Sequence, residues 1–247
     1  MIKLKKNLDS TYLYKEYIKK NRIMIEDILE IDSLNVVVDK LKNNTKYLNA
    51  YSLNGKYIQS SDEDLKSMLP NEMRVILQSV YAGASRGVGF FYGRYEVTIN
   101  EKDVLLKELY DYLNNENTLQ LISKITGVKA LRSANVQLTR YVSGNFLTRH
   151  NDVLPSKQRA IAFVFGFTPE WHPDWGGLLH FYKKNGQLTD TFVPKNNVLS
   201  LFDVHLPHSV SYVAPFASAT RYSITGWFNL NWWILCMFIL KWSKKEI

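Results

Sequence analysis

The stretch NVQLTRYVSGNFLTRHND, residues 135–152, marks the point at which the chain stops reading as helix and starts reading as sheet. Residues 136–142 alternate side chains in the period-two pattern of a half-buried strand, and Ser143, Gly144 and Asn145 break the run as a turn would. The same punctuation continues downstream. Short apolar or alternating runs at 159–165, 178–182, 191–193, 198–202, 208–213 and 221–228 are separated by Gly, Pro, Asn and Asp, which predicts successive strands. So many short strands in sequence point to a sandwich or barrel.

Upstream, the spacing favours helix. Residues 8–45 mix charged and apolar positions at helical intervals, with a break near Ile31, Asp32 and Ser33, where Asp32 or Ser33 is placed to cap a helix over about 34–43. Residues 72–85 and 102–116 repeat the pattern, the second through Leu105, Leu106, Leu109, Tyr110 and Leu113. No repeat, linker or low-complexity tract divides the halves, so helices packed on a β core in one domain is the simplest arrangement.

Composition narrows the function classes. With 247 residues, 46% hydrophobic and 13% aromatic, the chain can bury a dense, β-leaning core. Its one cysteine, Cys236, excludes an internal disulfide framework and a Cys-x-x-Cys zinc ribbon, and points to a reducing cytoplasm. The net charge of +8 is spread thinly, and the basic runs at 3–6 and 241–245 read as solvated termini rather than as a phosphate-binding patch. No uninterrupted apolar run follows the first basic residues, so a secretory signal is not expected. The nine apolar residues WWILCMFIL (232–240) fall short of the roughly 20 that a spanning helix needs; burial is the favoured reading of this tail, ahead of interfacial contact with a membrane.

The residues with most chemical potential are His150, Asn151 and Asp152, followed much later by His208. In an extended segment positions i and i+2 point the same way, so the His150 imidazole and the Asp152 carboxylate converge on one point. A second histidine from another strand completes two nitrogens and one oxygen, the facial set that holds non-haem Fe(II) with positions left open. Alone, a His-x-Asp pair is more often a surface hydrogen-bonding pair. Near the C-terminus, RYSITGWF (221–228) places Arg221, Ser223 and Thr225 on one strand face and Tyr222 and Ile224 on the other. A guanidinium and a hydroxyl then point together, a geometry suited to a carboxylate, although a single arginine more commonly pairs with a structural acid.

RYVSGNFLTRHND (140–152), WHPDWGGLLHFY (171–182), NNVLSLFDVHLPHSVSYVAP (196–215) and RYSITGWF (221–228) together resemble the Fe(II)- and 2-oxoglutarate-dependent oxygenases of the prolyl 4-hydroxylase-like branch. RIMIEDILEIDSLNVVVDKL and VYAGASRGVGFFYGRYEV resemble its lead-in less specifically, so the likeness spans about residues 20–230. It implies a mainly β fold with flanking α, a double-stranded β-helix or jelly roll preceded by N-terminal helices. One oxygenase domain would occupy 1–230, with a helical lead-in to about 130 and the β-helix core over about 131–230. The tail 231–247 lies outside the likeness.

Residue by residue, the resemblance implies His150, Asp152 and His208 as ligands of Fe(II), and Arg221 as the partner of the distal carboxylate of 2-oxoglutarate. It further implies Ser223 as the hydroxyl assisting that arginine and Tyr141 as a hydrogen-bonding partner of the cosubstrate, with dioxygen as the second cosubstrate. His208 is preferred to His205 because a strand follows it and its spacing to Arg221 fits the family; His205, His172 and His180 then read as loop or surface groups. Asp152 favours hydroxylation over halogenation, since the related halogenases lack this carboxylate. The expected substrate is a prolyl residue of a protein or peptide, with a free amino acid or natural-product intermediate as the alternative. Nucleic acid is disfavoured because Trp227 stands where the demethylase branch has a second arginine. A non-catalytic jelly-roll binding module is the reading from another class.

Overall fold

The computed structural model describes residues 8–230; the first basic run and the apolar and basic tail lie outside them. In chain order the elements are α1 (Ser10–Lys20), β1 (Arg22–Glu26), α2 (Ile31–Asn43), β2 (Leu48–Leu53), β3 (Lys56–Ser60), α3 (Asp62–Ser67), α4 (Pro70–Ser85), β4 (Phe90–Val97), α5 (Val104–Asn114) and α6 (Glu116–Thr126). The second half then runs β5 (Leu131–Tyr141), β6 (Phe146–His150), β7 (Arg159–Phe167), β8 (Leu179–Tyr182), β9 (Leu188–Phe192), β10 (Asn196–Asp203), β11 (His208–Val210) and β12 (Arg221–Leu230).

The strands join in the order β1-β10-β7-β12-β5-β4-β6-β11-β8-β9, and the β2–β3 hairpin attaches to β4 through β2. Every pairing is antiparallel. From β5 onward the chain distributes its strands between two groups. β5, β7, β10 and β12 lie side by side in one, and β6, β8, β9 and β11 in the other. This is the double-stranded β-helix expected of the second half, and β4 bridges its two groups by pairing with both β5 and β6.

Alternation along the strands decides what each face does. Ala134, Val136 and Leu138 of β5, Ile161, Phe163 and Phe165 of β7 and Ile224 and Phe228 of β12 bury into one cluster with Leu13 and Tyr17 of α1, Val37 and Leu41 of α2, Leu106 and Leu109 of α5 and Ile122 and Ile125 of α6. The helices therefore cover one face of the larger group, and at about 25 cal/mol per Å² of apolar surface this burial is the main term holding the fold together. The opposite face of the same strands, with Gln137, Thr139 and Tyr141 of β5 and Arg221, Ser223, Thr225 and Trp227 of β12, is left to line a cavity. Gly226 lets these strands close up: a Cβ there would stand 1.9 Å from the Asn135 carbonyl oxygen and 2.8 Å from the Phe163 ring.

The lead-in departs from the expectation in detail. It contains four strands as well as helices, and β1 interrupts what reads as one helical region. Its residues RIMIE pair along β10 from Arg22 opposite Phe202 to Glu26 opposite Val198, a tertiary contact that overrides local spacing. α2 begins at Ile31 behind Glu30, which makes no side-chain cap, so neither Asp32 nor Ser33 serves as cap. α6 has no counterpart among the expected helices; Asn115 caps it by accepting from the Thr118 N–H, and Gly127 ends it in the left-handed region at φ 75°.

One ion pair fastens the small helix α3 to the sheet. Arg140 of β5 donates from Nη1 and Nη2 to the two Asp62 oxygens at 2.8 and 2.7 Å, and Asn49 donates to the same carboxylate at 2.7 Å. The Arg140 hydrogen bond above all, opposed by partial burial, lowers Asp62 from 3.8 to about 2. A carboxyl more acidic in the folded than in the unfolded chain contributes stability that is complete above the unfolded value and is lost as pH falls through the folded one. Asp62→Asn is accordingly expected to flatten the fall in unfolding free energy between about pH 4 and pH 2, as read from urea denaturation at a series of pH values; an unchanged acid limb would show that the pair contributes nothing.

Candidate active site

Strand register brings together residues that the sequence holds far apart. β11 pairs with β6 so that His208 stands directly opposite His150. Asp152, two residues beyond His150, is held by its backbone N–H, which donates to the Val204 carbonyl at 2.9 Å. The result is a compact cluster: His150 Nε2 lies 3.6 Å from Asp152 Oδ1, and His208 Nε2 lies 3.3 Å from Oδ2. One ligand atom from each of the three side chains lies within 4.8 Å of the others.

The donor set fits a divalent transition metal. Nδ1 of His150 contacts the Thr148 carbonyl oxygen and Nδ1 of His208 the Leu206 carbonyl oxygen, each at 2.9 Å. A carbonyl can only accept, so Nδ1 carries a proton in both rings, and Nε2 is the atom that each ring turns toward the cluster and would offer to a metal. Burial, with the neighbouring His208 second, pulls the His150 pKa below the ordinary histidine value and favours the neutral imidazole. Burial pushes Asp152 up, but the hydrogen bond and charge of His208, the charge of His150 and the Trp227 side chain together hold the carboxyl below its usual range. Neutral imidazoles and an ionised carboxylate are the forms that ligate, and two histidines with one carboxylate suit ferrous iron.

Arg221 sits beside this cluster, 4% exposed. The β5–β12 ladder sets Arg221 opposite Tyr141 and Ser223 opposite Thr139. Nη1 of Arg221 donates to the Gly177 carbonyl at 2.5 Å, and its Cζ lies 5.1 Å from the centre of the Tyr141 ring. No carboxylate among the described residues pairs with it. Burial lowers its pKa, with Tyr141 opposing. A buried guanidinium without an internal counter-charge is costly unless a ligand supplies one, which removes the structural-acid reading of this arginine. The Ser223 hydroxyl lies 2.9 Å from that of Thr139, and burial raises the pKa of Tyr141, so its phenol stays protonated.

These six residues all line one cavity of about 460 Å³, whose apolar walls include Phe163, Leu179 and Phe202. The remaining histidines stay outside its lining. His205 is exposed and bound to Asp203, and His172 is exposed. His180, expected as a loop or surface group, instead lies half-buried within β8, where register with β9 brings it to Thr191 at 2.8 Å. The Gly176–Gly177 turn proves more constrained than a generic tight turn. Both residues have positive φ, at 70° and 63°, and a Cβ on Gly176 would stand 2.0 Å from the Tyr212 carbonyl oxygen. Trp171 donates to the Gly176 carbonyl at 2.9 Å, fixing the turn whose next carbonyl anchors Arg221.

Sequence reasoning used Trp227 only to disfavour nucleic acid, and gave neither it nor Arg159 a place at the site. The Arg159 guanidinium lies 3.4 Å over the centre of the Trp227 ring, and Arg159 Nε and Trp227 Nε1 are both buried without a hydrogen-bond partner. Trp227 is near enough to Asp152 to help hold its carboxyl down, although no hydrogen bond of good geometry joins them. Its position was recoverable: residue 227 continues the 221, 223, 225 alternation along the same face of β12. Tyr92, stacked on Tyr141 with ring centres 5.2 Å apart and planes at 7°, extends the wall and gives no comparable signal in the sequence.

Comparison with known proteins agrees with this geometry. Residues 136–229 match the family model described as the 2OG-Fe(II) oxygenase superfamily, a span that contains all six cavity residues above. Among solved structures, a Pseudomonas putida prolyl-4-hydroxylase is similar with a TM-score of 0.60 at 15% identity, over 90% of this chain and 99% of that one. A Trichoplax adhaerens prolyl hydroxylase, solved with a hypoxia inducible factor peptide fragment, gives 0.60 at 17% identity over 89% and 88%. A 2OG-Fe(II) oxygenase family oxidoreductase from Burkholderia pseudomallei gives 0.60 at 11% over 92% and 93%. No curated protein matches the sequence.

Proposed function

We propose that the chain, whose residues 136–229 match the family model described as the 2OG-Fe(II) oxygenase superfamily, hydroxylates a prolyl residue of a protein or peptide, with 2-oxoglutarate and dioxygen as cosubstrates. The observation that carries the reading is the meeting, in one cavity, of the His150–Asp152–His208 cluster with a buried Arg221 that has no internal counter-charge. The likeness of the whole described chain to prolyl hydroxylases, lead-in included, supports proline as the target.

His150 and His208 would hold ferrous iron through Nε2 and Asp152 through a carboxylate oxygen, on one side of the ion. Iron so held supplies the oxidising chemistry that turns an unactivated C–H bond into C–OH while 2-oxoglutarate is converted to succinate and carbon dioxide. The rest of the work is orientation by this chain's own groups. Arg221 offers a fork matched to a carboxylate, fixed by the Gly177 carbonyl. Ser223 and the protonated Tyr141 phenol present hydroxyls beside it. Phe163, Leu179 and Phe202 add apolar lining to the same cavity, and an ion pair formed against such walls is stronger than one in water.

The purified chain, supplied with Fe(II), 2-oxoglutarate and proline-containing peptides, is expected to release succinate in step with the gain of one oxygen atom on proline, as read by mass spectrometry. Succinate release accompanied by oxygen on a free amino acid or other metabolite, with no peptide modified, would overturn the prolyl reading.

A further inference from the structure

A second concavity adjoins the catalytic cavity and has no part in the chemistry above. It is an open groove of about 570 Å³ between the C-terminal half of α4 and strands β6 and β11. Leu147, Thr148, Arg149, Val210 and Gly87 line both spaces, so groove and cavity are continuous. The lip between them is rigid. The Gly89 N–H donates to the Thr148 hydroxyl and the Thr148 N–H to the Gly89 carbonyl, each at 2.9 Å.

The floor is aromatic and preassembled. Tyr212 stacks on Phe146 with ring centres 6.1 Å apart, Tyr81 lies 6.2 Å from Phe146, and the Tyr81 and Tyr212 hydroxyls meet at 3.4 Å. Both tyrosines remain substantially exposed, at 40% and 44%. Rings in this state offer apolar area and hydroxyls at low entropic cost to an extended chain laid across them.

Among the described residues lining the groove, Arg149 is the one charged side chain. It is exposed, its Cζ lies 5.9 Å from the Tyr182 ring centre, and no carboxylate among the described residues pairs with it. Gly186, at φ 91°, leaves the space that the guanidinium fills: a Cβ there would stand 2.6 Å from its Nη1. The arginine is thus steered by its surroundings and its charge is unanswered. A single cation beside aromatic rings matches an acidic side chain on a peptide; a nucleic-acid strand is tracked by a row of cations.

Resting on the reading of the chain as a peptide hydroxylase, we propose that this groove holds the flank of the substrate peptide and that Arg149 pairs with an acidic residue close to the target proline. Arg149 is adjacent in sequence to His150 and lines both spaces, so the partner acid lies within a few residues of the proline along an extended peptide.

The test is a set of proline peptides in which Glu, Gln or Lys is walked through each position on both sides of the target, assayed for KM and kcat with wild type, Arg149→Gln, Arg149→Glu and Tyr212→Ala. In wild type, Glu at one position is expected to lower KM about tenfold relative to Gln. Arg149→Gln should erase that preference and Arg149→Glu should transfer it to Lys at the same position, each read as the ratio of kcat/KM between the Glu, Gln and Lys peptides within one variant. Tyr212→Ala should raise KM for every peptide irrespective of charge. Hydroxylation without a positional charge preference, or with one that survives Arg149→Gln, would overturn the groove assignment and leave the prolyl reading standing. A single-stranded oligonucleotide that competes with peptide through Arg149 would also overturn it. Succinate release without any peptide being modified would remove the prolyl reading and this assignment with it.

Discussion

Asp152→Ala is expected to leave a folded chain that no longer retains ferrous iron and no longer turns over 2-oxoglutarate. Asp152 is the one carboxylate of the cluster, 8% exposed, and supplies the negative charge that two neutral imidazoles cannot. Taking away one partner of a buried charge pair costs about 3–5 kcal/mol, which corresponds to roughly 10²- to 10⁴-fold in metal affinity. The metal-free fold should stay assembled, because Asp152 holds its position through its backbone N–H to Val204, a bond that alanine keeps. Some stability is lost with the carboxylate, whose neighbours outweigh its desolvation. Iron content measured anaerobically, beside a thermal melt of the metal-free protein, separates the two effects. Loss of iron with a lowered but still cooperative melt is the expected pair of results. An iron-replete variant would show that the metal is held elsewhere.

Arg221→Ala is expected to raise the KM for 2-oxoglutarate by at least about 30-fold while iron binding stays intact. The magnitude follows from truncating one side of a desolvated, hydrogen-bonded charge pair, about 2–5 kcal/mol. The separation from iron binding follows from position, because Arg221 projects from β12 and contacts Gly177 and Tyr141 rather than any of the three cluster residues. Arg221→Lys should recover only part of the loss, since an ammonium is a point charge and cannot offer a planar fork. Equal KM values for wild type and both variants, in a steady-state assay of succinate formation, would mean that the cosubstrate docks elsewhere in the cavity.

The candidate site was more legible than the lead-in, for a physical reason. In strands the period of two is rigid, so the residue order of HND at the end of β6 and of RYSIT on β12 itself declares which side chains share a face. The structure keeps those faces: Ser223 and Arg221 look into the cavity while Tyr222 and Ile224 pack toward the helices. What spacing alone could not give was the register that sets His208 opposite His150, because pairing between β6 and β11 is a contact across 58 residues of chain, the difference between positions 208 and 150. The likeness to a known family supplied that step. β1 shows the converse: five residues of mixed character lie between two helices, and their conformation is decided by the free edge of β10. Arg159 and Arg149 stayed hidden because an arginine on a strand is ordinary until its surroundings are seen in three dimensions, the Trp227 ring for the first and the Tyr182 ring for the second.

The proposed function hangs on His150, Asp152 and His208 gathering one metal ion beside Arg221. An anomalous difference map, collected at the iron edge from crystals loaded anaerobically with Fe(II) and 2-oxoglutarate, reads that arrangement directly. A single iron peak is expected within bonding distance of both Nε2 atoms and an Asp152 oxygen, with cosubstrate density running from it to the Arg221 guanidinium. An iron peak away from these three side chains, or an empty cluster in crystals that hold iron elsewhere, would contradict it.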